Sequence, residues 1–509
     1  MLARLHSVTL EGIEGIICEV EVDVARGGFE KSVIVGLPDT AVKESIERVK
    51  SAIVNSGYKH PKTQSLINLA PADVKKAGPA FDLPIALGML IGQGALASSI
   101  LNDTIIVGEL ALDGRVRVVN GVLSMAMSAA ANGFGRMMVP LDNAREAAVV
   151  QDIEVFGVGS LAQAAGFLSG QLPLETTTVD IEELFGVASS YDVDFADVKG
   201  QESVKRALTV AAAGGHNIMM IGPPGAGKTM LAQRLATILP PLSLEQSIET
   251  TCVYSSVGLL GKNKALLATR PVRMPHHSAS GPALVGGGTA PRPGELSLAH
   301  FGILFLDEFV EFPRHVLEMI RQPLEDGFVI VSRAKKTVRF PAEFMLVAAM
   351  NPCPCGYFGS DARRCKCTPG QIGRYLSKVS GPLVDRIDIH IDVPAISFSK
   401  LRSKSGQLDS AAMRADVIRA GSMQAKRFAG RKVHTNARMS HKQVEKYCRL
   451  DSASELILKQ AMTEFGLSAR AHDKICKLAR TIADLAGAQE ISPEHVAEAI
   501  SYRKLDRRL

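Results

Sequence analysis

The 509-residue sequence contains no tryptophan, and only 5% of its residues are aromatic. Stacking of ligands on aromatic side chains is therefore a poor basis for recognition in this chain. Long apolar runs are also missing, because the longest, "IALGMLIGQGALASSIL" at 85–101, is interrupted by Gly and Gln. Glu11 and Glu14 come too early for the apolar region of a secretory leader. The sequence predicts a cytoplasmic protein without a membrane-spanning helix.

Positive charge is only in small excess, since the formal net charge of the chain is +6. The whole-chain charge is weak support for binding to nucleic acid, so local basic clusters have to carry that argument. A composition of 46% hydrophobic and 22% charged residues is typical of a globular protein and excludes a disordered chain. The length predicts about three domains at roughly 150 residues each.

Three regions differ in their sequence pattern. Residues 1–170 alternate short β-like runs with helical stretches such as 40–57, and they are followed by a linker at 171–194 without a long periodic element. Residues 195–395 alternate apolar strands with helices, as a parallel sheet requires, and 396–509 are almost entirely helical in pattern. The predicted fold class is an α/β multidomain protein with an α+β N-terminal domain and a C-terminal helical lid.

The clearest motif is "NIMMIGPPGAGKTMLAQRLA" at 217–236, where an apolar strand leads through a glycine-rich loop into a helix. Its G-x-x-x-x-G-K-[ST] spacing is that of a phosphate-binding loop, whose backbone N–H groups surround phosphate oxygens. Lys228 would reach the β and γ phosphates, and Thr229 would offer its hydroxyl to Mg²⁺. The predicted nucleotide-binding residues are Gly222, Pro223, Pro224, Gly225, Ala226, Gly227, Lys228, Thr229 and Met230.

Two further apolar strands end on polar side chains. The first, "GILFLDEF", places Asp307 to hold Mg²⁺ and Glu308 to activate the attacking water. The second, "FMLVAAMN", ends on Asn351, whose amide could orient that water. Two acids after a strand are equally typical of a surface turn, so the hydrolytic interpretation depends on the phosphate-binding loop.

These motifs resemble those of a known family. "GPPGAGKT", "ILFLDE" and "AAMNP" resemble the Walker A, Walker B and sensor 1 elements of AAA+ ATPases. The segment "RMPHHSASGPALVGGGTAPRPGELSLAHFGILFLDE" is similar to the magnesium-chelatase-like branch, and the resemblance extends over the whole chain. It implies a helix-2 insert, a hairpin before sensor 1, and a ring, a hexamer, with ATP bound at subunit boundaries.

The same resemblance implies two arginines that complete the site. Arg386, in "GPLVDRIDIHIDV", stands where such families carry the finger that reaches the neighbouring subunit's γ-phosphate. Arg470, in "LSARAHDKICKLAR", matches the sensor 2 element, with Arg480 as a weaker candidate. For either arginine, a solvated helix face is the alternative.

A basic hairpin is predicted at "GFVIVSRAKKTVRFPAEF", with its turn near Ala334. Its four cations are Arg333, Lys335, Lys336 and Arg339, and no acid lies between Asp326 and Glu343. Lysines also protect solvated edge strands, which is one interpretation. By the family resemblance the hairpin is a pore loop, and its cations would contact DNA phosphates without reading bases.

Four of the eight cysteines lie in "NPCPCGYFGSDARRCKC" at 351–367. Cys353, Cys355, Cys365 and Cys367 form two C-x-C pairs that could place four thiolates around one structural Zn²⁺. The segment has no periodic apolar pattern, so metal binding would supply its stability. A redox pair or unliganded thiols are the alternatives.

The N-terminal region resembles a Lon-protease-like domain in "KKAGPAFDLPIAL" and "VGELALDGRVRVVNGVLSMAMSAAANG". Peptidases of that type need a serine nucleophile and a lysine base, and this chain has Ala80 and Leu123 at those positions. The domain is therefore predicted to be inactive and to act as a scaffold. Lys75 and Lys76 are predicted to be surface residues, either facing DNA or simply solvated.

The resemblance implies an ATP- and Mg²⁺-dependent DNA translocase or helicase that drives branch migration during recombination in natural transformation. Its expected partners are further copies of this chain and duplex, single-stranded or branched DNA, without sequence preference. The alternative is a magnesium-chelatase-type motor that remodels a protein partner. A non-enzymatic scaffold conflicts with the complete set of ATPase residues.

Overall fold

The computed structural model describes residues 1–27, 29–97, 100–188, 191–261, 264–288, 291–333, 336–359, 363–395, 408–430 and 433–503. The chain forms two compact units. The first contains Met1–Ala188 together with Ser243–Ala268, and the second contains Ser189–Leu242 together with Thr269–Leu509. The sequence pattern placed residues 243–268 in the predicted ATPase core at 195–395. In the structure this segment belongs to the first unit.

The first unit is built on a mixed seven-stranded sheet. In sheet order its strands are Lys31–Val35, Gln64–Ala70, Glu14–Val24, Leu2–Glu11, Thr104–Ile106, Arg136–Pro140 and Glu154–Val158. The second to fourth of these pair antiparallel, and the other neighbours pair parallel. Two short strands, Glu109–Leu110 and Val116–Arg117, form a separate antiparallel pair.

Apolar side chains from helices and strands form two large hydrophobic clusters in this unit. The helix Asp82–Gly92 is buried at all eleven positions and packs against two central strands, which is why its sequence lacks a polar face. The helix predicted at 40–57 spans Thr40–Asn55 and begins at Asp39, whose Oδ1 accepts a hydrogen bond of 2.9 Å from the Val42 N–H. The remaining helices are Val122–Ala131, Ala144–Ala147, Leu161–Leu168, Ile181–Ala188 and Leu244–Ser256.

Part of the predicted linker forms a helix, Ile181–Ala188. Asp180 begins this helix by accepting hydrogen bonds from the N–H groups of Glu182 and Glu183 at 2.9 and 3.1 Å. Leu184 and Phe185 pack into an apolar cluster of the first unit. Tertiary packing therefore stabilises a helix that is too short to be evident from periodicity.

The second unit contains a five-stranded sheet whose neighbouring strands are all parallel. In sheet order the strands are Val272–Arg273, Ile303–Leu306, Met345–Met350, Ile218–Ile221 and Ile389–Asp392. Helices of this part are Glu202–Gly214, Lys228–Ile238, Gly281–Val285, Glu295–Leu298, Arg314–Asp326, Pro369–Leu376 and Gly381–Val384. The parallel core, the mixed N-terminal sheet and the C-terminal helices confirm the predicted α/β multidomain class.

Two antiparallel hairpins are attached to this unit. Phe328–Arg333 pairs with Lys336–Pro341, and Gly286–Gly287 pairs with Arg292–Pro293. The C-terminal helices are Ser410–Arg427, His441–Tyr447, Ser452–Phe465, Ala469–Leu485 and Pro493–Ser501. Within the described ranges, no helix combines the length and the apolar character needed to cross a membrane.

Candidate functional site

Three predicted site segments meet at one edge of the parallel sheet because their strands run in the same direction. Gly222 follows the strand Ile218–Ile221, Asp307 follows Ile303–Leu306, and Asn351 follows Met345–Met350. The carboxyl ends of parallel strands are the usual place for ligands in such sheets. Residues that are 85 and 44 positions apart in sequence are thus placed at the same edge of the sheet.

Lys228 lies at the start of the helix Lys228–Ile238, and its ammonium group is held in the loop. The Lys228 Nζ donates to the carbonyl oxygens of Gly222 and Pro223 at 2.7 and 3.1 Å. It also donates to Oδ1 of Asn351 at 3.1 Å. Burial lowers the pKa of Lys228, although Asp307 and Glu308 act in the opposite direction. The ammonium group is positioned to bind an anion and is already joined to the predicted sensor residue.

Thr229 and Asp307 form the second contact. The Thr229 hydroxyl donates to Oδ2 of Asp307 at 2.6 Å, and Oδ1 of Asp307 accepts from the Glu308 N–H at 2.9 Å. A hydroxyl and a carboxylate side by side are hard oxygen ligands of the kind that Mg²⁺ prefers. These two residues therefore fit a magnesium ion bound together with a nucleotide.

Glycines allow the loop to approach its neighbours closely. A Cβ atom at Gly222 would lie 2.3 Å from the Val393 carbonyl oxygen, which is a prohibitive overlap. Gly225 and Gly227 have φ values of +78° and +85°, in the left-handed region that favours glycine. The loop conformation consequently requires glycine at three positions, of which the motif specifies two, Gly222 and Gly227.

Glu308 has a partner that sequence analysis missed. Its Oε2 lies 3.1 Å from Nδ1 of His277, which is more than thirty positions earlier in the chain. Glu308 is also held at φ +50°, a strained value for a residue with a side chain. His277 lies within the "RMPHHSASGP" stretch, so the only available signal was the family resemblance of that stretch. The geometry places the Glu308 carboxylate within hydrogen-bond distance of an imidazole ring.

Arg386 and Arg470 line one cavity of about 350 Å³ in the second unit. Arg386 is mostly buried and forms an ion pair of 2.7 Å with Glu325 and a hydrogen bond of 2.6 Å to the Pro382 carbonyl. Arg470 is exposed in the first turn of the helix Ala469–Leu485. Arg480, by contrast, is buried and bonded to Asp484 and two backbone carbonyls, which is a structural role.

The hairpin exposes part of the predicted basic cluster. Arg339 is exposed on the strand Lys336–Pro341, and its guanidinium carbon lies 3.6 Å from the centre of the Phe328 ring. Arg333 and Lys336 face each other as a register pair at the end of the two strands. Lys335 lies outside the described residues, and the placement of the Arg333 and Lys336 side chains is not described.

The four clustered cysteines converge. Their Sγ atoms all lie within 4.8 Å of one another, and those of Cys353, Cys355 and Cys365 are separated by 3.4 to 3.7 Å. Tetrahedral zinc with Zn–S bonds of ~2.3 Å requires sulfur atoms about 3.8 Å apart. Backbone N–H groups of Lys366 and Tyr357 lower the pKa of Cys355 to about 6, which favours the thiolate. This cluster of donors therefore fits a structural Zn²⁺ ion.

The cysteine segment also contacts the nucleotide loop. A Cβ at Gly356 would lie 2.7 Å from Cδ of Pro224, so the two loops touch. The hydroxyl of Tyr375, just after the segment, interacts with the backbone of Asn351, while burial raises the pKa of that tyrosine to about 12. Tyr375 carried no signal in the sequence. Folding of the cysteine segment therefore helps to position Asn351 and Pro224.

In the first unit, Ala80 is buried and Leu123 is fully buried, so apolar side chains occupy the positions that resemble a peptidase nucleophile and base. The prediction that Lys76 is a surface lysine is wrong. Its side chain is completely buried and its Nζ donates to the carbonyls of Pro71 and Val74, the latter at 2.9 Å. A lysine with a long apolar stem can be buried when backbone carbonyls satisfy its head. Lys75 is exposed.

A phosphate-binding loop, a Thr–Asp pair, a second acid and an asparagine on the next strand, together with C-terminal helices, define the class of AAA+ nucleoside triphosphatases. Comparison with known proteins is more specific. The family profile "Magnesium chelatase, subunit ChlI" matches residues 194–401. Related profiles, "Subunit ChlI of Mg-chelatase" and "Magnesium chelatase, subunit ChlI C-terminal", match residues 20–143 and 407–503.

Full-length relatives are also found. The chain is 43% identical over 516 residues to Competence protein ComM of Haemophilus influenzae, covering 100% of this chain and 98% of the relative. It is 40% identical to the Escherichia coli protein YifB, with the same coverage. The magnesium-chelatase 38 kDa subunit of Rhodobacter capsulatus is 28% identical over 31% of this chain and 50% of that subunit. The chain belongs to the magnesium-chelatase-like AAA+ ATPase family that includes ComM.

Proposed function

We propose that this protein is an ATP-driven DNA translocase that works as a hexameric ring. The observation that carries the proposal is the connection between the nucleotide loop and the basic hairpin. The hairpin strand Lys336–Pro341 leads within a few residues into Met345–Met350, whose six residues are all buried. That strand ends at Asn351, which contacts Lys228. A rigid strand thus links the basic hairpin to the phosphate-binding lysine.

The residues at the sheet edge take the following roles in this proposal. Lys228 and the backbone of the loop bind the phosphates of ATP, and Thr229 and Asp307 hold Mg²⁺. Glu308 accepts a proton from the attacking water, and Asn351 orients that water. His277 holds the Glu308 carboxylate in place until the water is bound. Mg²⁺ bound at these residues would neutralise part of the negative charge of the phosphates.

Arg386 and Arg470 act on nucleotide held by neighbouring copies of the chain. In the single chain Glu325 neutralises Arg386 at 2.7 Å. We propose that this ion pair holds the Arg386 side chain against its own chain until the γ-phosphate of ATP in a neighbouring copy competes for it. An arginine attracts a multiply charged phosphate more strongly than one carboxylate. Ring assembly and ATP binding are then coupled.

The cations of the hairpin, Arg333, Lys335, Lys336 and Arg339, contact DNA phosphates in the channel of the ring. Phosphate contacts carry no sequence information, so the motor acts on any sequence. The first unit is a Lon-protease-like scaffold without peptidase activity, since Ala80 and Leu123 supply neither nucleophile nor base. The four clustered cysteines bind structural Zn²⁺.

The biological role follows from similarity. Because a full-length relative is named a competence protein, we propose that this protein acts in the cytoplasm during natural transformation and drives branch migration in homologous recombination. The competing proposal is a magnesium-chelatase-type motor that remodels a protein partner, and the matching family profile is the reason to keep it. The basic hairpin favours DNA as the substrate.

ATP turnover with and without DNA tests the proposal. We expect DNA of any sequence to accelerate turnover by the wild-type protein, and we expect Lys228→Ala to weaken ATP binding and abolish turnover. Arg339→Glu should lose most of the acceleration, whereas the matched control Arg449→Glu, an exposed arginine of the same unit, should keep it. Glu308→Gln should retain ATP without cleaving it and should favour the ring, visible by analytical ultracentrifugation. If DNA neither binds nor accelerates turnover while a protein partner does, the remodelling function replaces this one.

A further inference from the structure

The first unit contains a second basic feature, a cleft of about 730 Å³. It is formed where the strand Glu14–Val24 ends, beside the C-terminal ends of the helices Thr40–Asn55 and Asp82–Gly92. A volume of this size falls within the range of about 300–1,000 Å³ that is typical of ligand sites. The cleft is separate in sequence from the nucleotide loop and from the hairpin.

The charged side chains that line the cleft are Arg26, Glu30, Lys50, Lys59 and Lys62. Met1 also lines it, with its N-terminal ammonium 3.6 Å from Asp23. Lys50 forms an ion pair with Glu30, so these two charges cancel. Arg26, Lys59 and Lys62 are exposed, and among the described residues none of them has an acidic partner within ion-pair distance. Three positive charges therefore remain uncompensated in a concave surface.

The two helix ends at the cleft are the strongest argument against an anion. Each contributes roughly half a negative charge. Gln93 directly follows one of these helices, and its side-chain amide donates to the Lys59 carbonyl at 2.7 Å. Together they amount to about one negative charge, which is smaller than the three uncompensated cations. The net field in the cleft stays positive and favours an anionic ligand.

His60 belongs to the wall of the cleft. Its side chain is only 8% exposed, and its Nδ1 lies 3.8 Å from Oε1 of Glu30. Burial lowers the pKa of this histidine, so the neutral ring adds no positive charge to the cleft.

The lining also indicates how the ligand is recognised. Neither Phe nor Tyr is among the described residues that line the cleft, so its wall offers no aromatic ring on which a base could stack. Cations with few other polar side chains suit phosphate groups rather than base edges. From these observations we propose that the cleft binds the phosphate groups of a nucleic-acid backbone.

This inference extends the proposed function and rests on it, because it gives the DNA motor a second, sequence-independent contact in its N-terminal unit. The test uses the full-length variant Lys59→Glu/Lys62→Glu. Lys43→Glu/Arg145→Glu is the matched control, because these are two exposed cations of the same unit outside the cleft. Binding of labelled single-stranded and duplex oligonucleotides of two unrelated sequences is measured by fluorescence anisotropy at several salt concentrations.

We expect the cleft variant to bind every oligonucleotide more weakly and to lower the slope of log K against log salt by about 2, roughly one for each lost phosphate contact. The control should keep the wild-type slope, and thermal unfolding should show that both variants are folded. An unchanged slope in the cleft variant, together with a reduced slope in Arg339→Glu, would show that the cleft does not bind DNA. The proposed DNA-translocase function would not be affected by that result. Absence of DNA binding by the wild type would overturn both.

A free polyphosphate would present the same phosphate groups to the cleft as a nucleic-acid backbone. In a Lys228→Ala background, which weakens the nucleotide loop, tripolyphosphate is titrated calorimetrically into the protein with and without the cleft substitutions. We expect weak binding that DNA displaces. Tight binding of tripolyphosphate that depends on Lys59 and Lys62 but is unaffected by DNA would identify a free anion as the ligand and overturn the nucleic-acid assignment.

Discussion

Replacing Lys474 by methionine removes the cation from an ion pair that is buried in the second unit. The Lys474 Nζ lies 2.9 Å from Oδ1 of Asp388, and the two side chains are 16% and 12% exposed. The other oxygen of Asp388 lies 3.3 Å from Nδ1 of His216, which bonds to Thr481 at 2.9 Å. Methionine keeps the apolar stem but supplies no charge, so Asp388 is left buried without its ion-pair partner.

The expected cost follows from this geometry. Removing one partner of a buried ion pair costs about 3–5 kcal/mol. Because Lys477 also attracts the Asp388 carboxylate, we expect the lower end, about 3 kcal/mol. For a large unit this corresponds to a fall in the unfolding midpoint of about 6–12 °C, at ~2–4 °C per kcal/mol.

Differential scanning calorimetry of a double-mutant cycle measures the effect. The variants are Lys474→Met, Asp388→Asn and the two combined. Since the double variant leaves no uncompensated charge, its loss of stability should be smaller than the sum of the single losses by about 2 kcal/mol. Single losses that add within about 0.5 kcal/mol would show that the pair is not coupled and would refute the reasoning.

The pH dependence gives a second check. Burial alone would raise the pKa of Asp388, but the ammonium of Lys474 and the ring of His216 together lower it well below its ordinary value. A lowered pKa means that the carboxylate stabilises the fold above its unfolded pKa of about 3.9 and that this contribution is lost as acid protonates it. The coupling energy should be constant near neutral pH and should decline below about pH 4.

The ion pair also bears on the candidate arginines. Arg470 lies one helical turn before Lys474, Arg386 lies two residues before Asp388, and all four residues line the same cavity. Loosening the pair should therefore lower ATP turnover more than it lowers ATP binding. Equal losses of both would point to general unfolding instead.

Three other perturbations test separate parts of the structure. Cys355→Ser should reduce the zinc content measured by elemental analysis to well below one ion per chain, whereas the control Cys18→Ser, at a buried cysteine of the first unit, should not; full zinc in the first variant would reject the site. His277→Gln should lower the ATP hydrolysis rate about tenfold or more with little change in ATP affinity, because it frees the Glu308 carboxylate, and an unaltered rate would show that His277 has no positioning role. Glu146→Ala leaves the buried donors around that carboxylate without a partner, at about 1–3 kcal/mol each, so limited proteolysis should cut Ser243–Ala268 faster; wild-type resistance would contradict this.

The local motifs could be predicted from the sequence because the residues of each motif lie in one continuous segment. The phosphate-binding loop needs glycine, lysine and threonine at fixed spacing between a strand and a helix, and the structure has that order from Ile218 to Ile238. The two C-x-C pairs were also visible, since thiolates that bind one ion must be close in sequence or be brought together by folding. Alternating strands and helices predicted the parallel sheet for the same reason.

Contacts between distant segments were not readable. The His277–Glu308 pair, the Arg386–Glu325 pair and the burial of Lys76 all depend on neighbours that the sequence does not place next to them. The packing of Ser243–Ala268 within the first unit is of the same kind. Its side chains satisfy buried partners such as Glu146, through Ser255, which no periodic pattern could indicate.

By itself, then, the sequence determined the chemistry that this protein can bring to a nucleotide, because residue type and short-range spacing are sufficient to define a phosphate-binding loop and a set of thiol ligands. Only the tertiary structure decided which side chains reach one another at the sheet edge, which cations are free in the N-terminal cleft and which are buried. The physical reason is that a hydrogen bond or ion pair acts over a few ångströms, and the packing of the whole chain sets those distances.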